Sequence, residues 1–137
     1  MTEMRGVLFR PSEIPAADRG GGNRTIPLVT RKAGATQLIN GITVIAPGSA
    51  IQRHFHNCEE SVMVLSGEGV AEIAGEEIVV RAQDTTWIPA NLPHRFRNAS
   101  ATEPLTIFWT YASVDATRTL VDTGETRSVD SEHARKA

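Results

Sequence analysis

The chain has 137 residues, 40% of them hydrophobic and 22% charged, with a formal net charge of -2 at neutral pH. That length holds one ordinary domain with a real core and not two, and the composition falls in the globular range rather than the disordered or membrane-embedded ones. A slightly acidic balance gives no cationic surface to neutralise phosphates, so a small molecule, and not nucleic acid, is the expected partner.

The segment Met1 to Arg10 carries scattered charges and no hydrophobic stretch of the signal-peptide kind, and no apolar run reaches membrane-spanning length. No membrane partner and a cytoplasmic location are the expectation; the single cysteine, Cys58, agrees with a reducing compartment. Pro11, Pro15 and the triple glycine Gly20 to Gly22 interrupt regular structure, and the alternating run Thr25 to Thr30 reads as one strand in an N-terminal arm, residues 1–33. Pro27 lacks the N–H of a ladder donor, which makes that strand an edge strand open to a second subunit.

From Gln37 onward the pattern becomes short β-rich stretches parted by turn residues: Gln37 to Ala46, Ser61 to Ser66, Gly69 to Ala74, Glu77 to Arg81, Thr85 to Ile88, His94 to Asn98 and Leu105 to Tyr111. This spacing predicts an all-β sandwich or barrel over residues 34–113. Gly75 suits a tight hairpin turn, and Asp84 marks the following corner. After Tyr111 the chain turns polar, and the tail, residues 114–137, reads as a short helix or an ordered strap with a frayed end.

Three of the four histidines lie in two short segments. His54 and His56 alternate as X-His-X-His, which on a strand sends both rings to one side; Glu60 keeps the same parity, and His94 follows between Pro89 and Asn98. Imidazoles and a carboxylate are metal-ligand chemistry. The first segment is written Gly48-x5-His54-x-His56-x3-Glu60-x6-Gly67 and the second Pro89-x4-His94-x3-Asn98. Both resemble the two motifs of the cupins, the first at every fixed position. The second departs from the family pattern at Gln83 and Asn91, where glycines are expected; asparagine tolerates the left-handed conformation such a turn needs.

The resemblance, which covers roughly Gln37 to Tyr111, implies a jelly-roll barrel, a double-stranded β-helix, with His54, His56, Glu60 and His94 as the ligands of one divalent transition metal. Such a mixed N/O set suits Fe(II), Mn(II), Co(II), Ni(II) or Zn(II). By strand parity Gln52, Phe96 and Asn98 face inward with the histidines and are the expected substrate-binding residues, over a floor that includes Val62 and Val64. Arg53, Arg95 and Arg97 are expected to point away, Trp87, Trp109 and Tyr111 to serve as core or interface aromatics, Cys58 to be a packed free thiol, and His133 to be solvated.

Cupins span oxygenases, decarboxylases, isomerases, lyases and non-catalytic binders, so the fold does not choose the reaction. A metal-dependent enzyme acting on a small oxygenated metabolite, foremost a non-haem Fe(II) oxygenase or dioxygenase, is the leading expectation, since no acid or base beyond the metal is evident. A metal-assisted small-molecule binder or sensor is the alternative. A third is an isomerase or lyase acting on an acidic sugar, for which Arg24 or Arg31 of the arm would have to supply an inward cation. Outward Met63 and Leu65, with Ile26 and Leu28 of the arm, predict a homodimer.

Overall fold

The computed structural model describes residues 6–133, and its regular structure is chiefly antiparallel strands. In chain order these are β1 (Ala17–Gly20), β2 (Asn23–Pro27), β3 (Ile39–Ile45), β4 (His54–His56), β5 (Glu60–Ser66), β6 (Glu68–Ile73), β7 (Glu76–Arg81), β8 (Thr85–Ile88), β9 (His94–Arg97), β10 (Leu105–Tyr111), β11 (Thr117–Leu120) and β12 (Thr126–Ser128). One sheet runs β1-β2-β3-β10-β5-β8 and the other β12-β11-β4-β9-β6-β7. From β3 to β10 the chain crosses between the two sheets, and the result is the all-β jelly roll expected of the sequence.

Alternation decides which side chains fill the space between the sheets. In β3 and β10 every second residue is buried, from Ile39 to Ile45 and from Leu105 to Tyr111, and the two strands pair in unbroken register. Val62 and Val64 of β5, Ala71 of β6 and Ile88 of β8 complete the apolar layer. At the turn between β6 and β7, Ala74 and Gly75 both take positive φ (51° and 86°), the two-residue connection whose twist matches that of the strands. Asn91 sits at φ 65° in the left-handed region, as anticipated for its place in the second motif.

The two ends of the chain carry more regular structure than their composition signals. The triple glycine closes a hairpin between β1 and β2, all three residues at positive φ, and β2 pairs along β3 of its own chain from Arg24↔Val44 to Pro27↔Gly41. The strand drawn from Thr25 to Thr30 stops at Pro27, beyond which β1 no longer flanks it, so the missing N–H faces no neighbour. In the tail, β11 and β12 form a hairpin whose first strand pairs with β4, and the helix α1 (Asp130–His133) follows. The expected strap is therefore a hairpin and a single helical turn. Among the described residues no helix is long and apolar enough to cross a membrane.

Gly41 shows how closely the two central strands are fitted to the aromatic layer. A Cβ there would lie 2.5 Å from the Trp109 ring and 2.7 Å from the Ile26 carbonyl oxygen, neither of which has room to retreat. Gly41→Ala is expected to destabilise the fold by roughly 1–3 kcal/mol through overpacking, read as a lower denaturant midpoint at unchanged m-value. An unchanged midpoint would mean that Trp109 is less tightly held than its surroundings imply.

Candidate metal centre

Strands β4, β5 and β9 bring His54, His56, Glu60 and His94 together in the interior, all four buried, with ligating atoms within 4.8 Å of one another. Each imidazole is oriented by the backbone. Nδ1 of His54 donates to the Gln52 carbonyl (2.6 Å), that of His56 to Thr117 (2.9 Å) and that of His94 to Leu92 (2.8 Å). Because a carbonyl can only accept, these bonds place the proton on Nδ1 and leave the Nε2 lone pairs free, those of His56 and His94 facing Glu60.

The group is incomplete without a positive centre. His94 Nε2 lies 2.9 Å and His56 Nε2 3.5 Å from the same Glu60 oxygen, Oε1, and His56 Nε2 is a buried atom with no hydrogen-bond partner. Lone pairs on nitrogen and carboxylate oxygen repel unless a cation or a proton stands between them, and an orphaned buried acceptor is costly. A divalent ion satisfies all of them together, so the residues present fit the metal that the fold family implies.

Burial is the main influence on the imidazoles. It pushes His54 well below the usual histidine range, with the neighbouring charges of His94, Arg118 and His56 acting in the same direction. His56 is lowered as well, again chiefly by burial, partly offset by the Glu60 carboxylate. Both are thus held in the neutral form that can bind a metal. Burial, and then the Glu60 charge, raises the Tyr111 phenol well above its ordinary value, so the hydroxyl remains protonated; its ring packs 4.4 Å from that of His56.

Beside the cluster lies a cavity of about 30 Å³, walled by His54, Glu60, Phe96, Trp109 and Tyr111. It has room for a couple of water molecules, not for an organic substrate. Of the expected substrate-binding residues, Phe96 is on this wall. Gln52 is not: residues 51–53 lie outside any strand, alternation lapses, and the Gln52 side chain is exposed at the mouth while its carbonyl holds His54. Asn98 is buried but committed to the fold, its amide donating to the Ile45 and Glu103 carbonyls and its oxygen accepting from Ser100 N–H. Val62 and Val64 pack into the core and do not line the cavity.

Arg95 and Arg97 point outward as the parity of β9 requires and, with Arg53 from the irregular segment, gather around one buried carboxylate. Arg95 and Arg53 hydrogen-bond Glu72 at 2.7 and 3.2 Å and Arg97 approaches to 3.3 Å; burial opposes the charge, but the arginine hydrogen bonds outweigh it and hold Glu72 below the usual carboxylate range. Cys58 is a half-buried free thiol raised by desolvation, packed against the core. Trp109 and Tyr111 are core aromatics as expected, stacked on one another and also lining the cavity, whereas Trp87 is exposed and donates to Glu59. His133 is not solvated: it stacks on Trp109 at 5.3 Å, and burial lowers its pKa.

Neither arm arginine singled out for an inward cation reaches the site. Arg24 is exposed, and Arg31 pairs with Asp115 at the surface. The inward cations are Arg19 of β1 and Arg118 of β11. Arg19 follows buried Ala17 by two residues at a bulge in the β1–β2 pairing, and donates to Thr25, whose hydroxyl meets that of Thr43, itself bonded by Trp109 Nε1. Arg118 is paired in register with His56 and so shares its face. The alternation of Ala17 with Arg19 and of Arg118 with Leu120 was the available signal, hidden by glycines on one side and a polar tail on the other.

Histidines buried in neutral form make the metal-free fold sensitive to acid. Below the unfolded pKa of about 6.5 the unfolded chain takes up protons that the native His54 and His56 refuse, so their contribution is intact above that pH and is lost as pH falls towards their native values. Chelator-treated protein should show a nearly constant denaturant midpoint from about pH 8 to 7, then a loss approaching ~1.4 kcal/mol per pH unit per histidine below about 6.5. His133→Asn removes the share of that more distant ring. A midpoint flat down to about pH 5 would contradict the burial of neutral imidazoles.

Comparison with known proteins agrees with this geometry. Residues 41–111 match the family model of the cupin domain. The polyketide synthase CurC of Streptomyces cyaneus is 36% identical over 110 residues, covering 79% of this chain and 71% of that protein. Protein SchB of Streptomyces halstedii is 31% identical over 109 residues, 79% of each. Among solved structures, the polyketide cyclase RemF of Streptomyces resistomycificus superposes with a TM-score of 0.72 at 18% identity, over 93% of this chain and 86% of that one, a likeness of fold. On the match of its sequence to the family model and on these relatives, the chain belongs to the cupin family.

Proposed function

We propose that this cupin is a metal-dependent enzyme acting on a small polyketide-type substrate rich in carbonyl and enol oxygens, and that it promotes an intramolecular condensation. The observation that carries the reading is the 36% identity, over most of the chain, to a protein named a polyketide synthase. The enclosed cluster of His54, His56, Glu60 and His94 supplies the means. A divalent ion held there would act as a Lewis acid on a carbonyl oxygen. The chain's own part is to fix the ligand set through three backbone carbonyls, to exclude bulk water with Phe96, Trp109 and Tyr111, and to present the protonated Tyr111 hydroxyl beside the reacting group.

Oxygenation is the second reading, favoured by the three-imidazole, one-carboxylate set, which suits Fe(II) as well as Zn(II) and leaves positions open for substrate and dioxygen. Mass balance separates the two. Condensation expels water and needs no oxidant, whereas oxygenation adds oxygen atoms and depletes dissolved dioxygen. Metal-loaded protein given synthetic poly-β-carbonyl compounds should yield a product lighter by one water with no oxygen uptake. Uptake matched to product would establish the oxygenase, and binding with no product the non-catalytic binder.

The metal assignment has its own test. One divalent ion per chain is expected in protein purified without chelators, and His56→Ala or His94→Ala should lower its affinity at least about ten-fold, because each removes one of four converging donors. Full occupancy in both variants would exclude the assignment.

For assembly we infer a homodimer through the outer face of the first sheet. Ile26, Ile42, Phe108 and Met63 stand in one cross-strand row on that face, and exposed Leu65 and Trp87 extend it. A contiguous apolar patch of that kind favours a partner. The occupant is a second copy of the same face and not an exchanged strand, since β2 is already paired within its own chain. Met63→Glu with Trp87→Glu should convert dimer to monomer in light scattering at unchanged metal content; a wild-type chain monomeric at high micromolar concentration would refute the inference.

A further inference from the structure

Two guanidiniums stand at the mouth of the metal cavity with one carboxylate between them. Arg19 and Arg118 have side chains only 10% and 12% exposed, and both pair with Glu132 of α1, at 2.9 and 3.4 Å. The remaining cation there, Arg127, is already paired with Glu125. Two nearly buried positive charges thus share a single counter-charge, and Arg118 Nε is buried with no hydrogen-bond partner. Desolvated cations with one charge unmatched and a donor unused are costly unless a further anion completes them.

Their position relates them to the metal centre. Arg19 lines the inner cavity along with His54 and Glu60, and also two outer cavities of about 230 and 290 Å³, each of which includes Gln52 and Arg118. Arg19 therefore joins the chamber that admits little more than an ion to spaces large enough for an organic ring system. Glu132 rests in this wall on a helix of four residues near the end of the described chain, so a change of side-chain rotamer would withdraw its carboxylate.

We propose that Arg19 and Arg118 form an oxyanion subsite for the ligand's acidic end, an ionised enol or carboxylate, with Gln52 at its rim and Glu132 holding the place until the ligand enters. The proposal rests on the metal-centred reading and narrows it to ligands that are anionic at one end and present a carbonyl or hydroxyl oxygen at the other. It also returns Gln52 to ligand binding, at the mouth and not beside the metal.

Isothermal titration of the metal-loaded full chain tests this with two matched pairs: lawsone, an acidic enol ionised at neutral pH, against its methyl ether, and hydroxynaphthoate against its methyl ester. At least one ionised probe should bind about ten-fold or more tightly than its neutral partner, and the pair that discriminates identifies enolate or carboxylate. Arg118→Gln should remove most of that preference, Glu132→Gln should strengthen binding of the ionised probe about three-fold or more, and neither should alter metal content. Equal binding within both pairs, binding by none, or a preference untouched in Arg118→Gln would overturn the subsite. Glu132→Gln keeps the test decisive should Arg118→Gln fold poorly, for weaker binding there also refutes it. If discrimination persists while purified protein carries no metal, the metal reading fails alone; one bound ion per chain without discrimination defeats the subsite alone.

Discussion

The structure depends on three imidazole N–H groups tied to main-chain carbonyls. Gln52, Thr117 and Leu92 supply those carbonyls from three separate stretches of chain, and each bond fixes both the tautomer and the aim of a ring whose other nitrogen faces Glu60. Strand pairing between the Gln52 and Leu92 stretches is sparse: β4 and β9 share the single register pair His54↔His94, with Ala50↔Arg97 as a lone bridge nearby. Side-chain bonds therefore carry part of what a longer ladder would do, and a cation taken up by the cluster would be coupled to the local fold.

Once His56 is oriented by Thr117, the tail is part of the site. The register that brings Thr117 to His56 places Arg118 on the ligand face, and the β11–β12 hairpin carries the chain round to α1, so Glu132 arrives opposite Arg19. From the other terminus β1 delivers Arg19, anchored through Thr25 and Thr43 to Trp109. The hairpin β1–β2 and the helix α1 thus meet over the barrel mouth, and the absence of a side chain at Gly41 leaves room for the Trp109 ring to which that hairpin is anchored. Segments that look dispensable by composition contribute Arg19, Arg118 and Glu132 beside the histidine–glutamate cluster.

This explains what could be read from residues alone. The clustering of His54, His56, Glu60 and His94 was legible because alternation and spacing are local properties, and most strand cores from Ile39 to Tyr111 were legible for the same reason. Gln83 is instructive: it keeps positive φ, 77°, where a glycine was expected, a conformation costing on the order of 1 kcal/mol, and its N–H reaches the Val64 carbonyl at 2.7 Å. The turn is retained by a hydrogen bond and not by residue type. What was not legible depended on partners distant in sequence. Gln52 fell out of phase where the strand lapses, Asn98 faced inward but was consumed by its own loop, and Arg19, Arg118, Glu132 and His133 acquire their roles only when β11 docks on β4 and α1 reaches the first sheet.

Size and charge divide the site into two parts. The inner chamber, apolar on the side of Phe96 and Trp109, has room for one or two atoms of a ligand, and His54 and Glu60 on its wall belong to the cluster that could hold a metal in any member of the fold. Discrimination between substrates has little scope there. The outer cavities are larger and, apart from the segment Ala50 to Gln52, are lined by residues outside both motifs, so under the proposed subsite the choice of ligand falls to them. Barrels with the same four ligands can therefore differ in reaction through a few side chains on strands that the motifs do not include, and here those strands are β1 and β11.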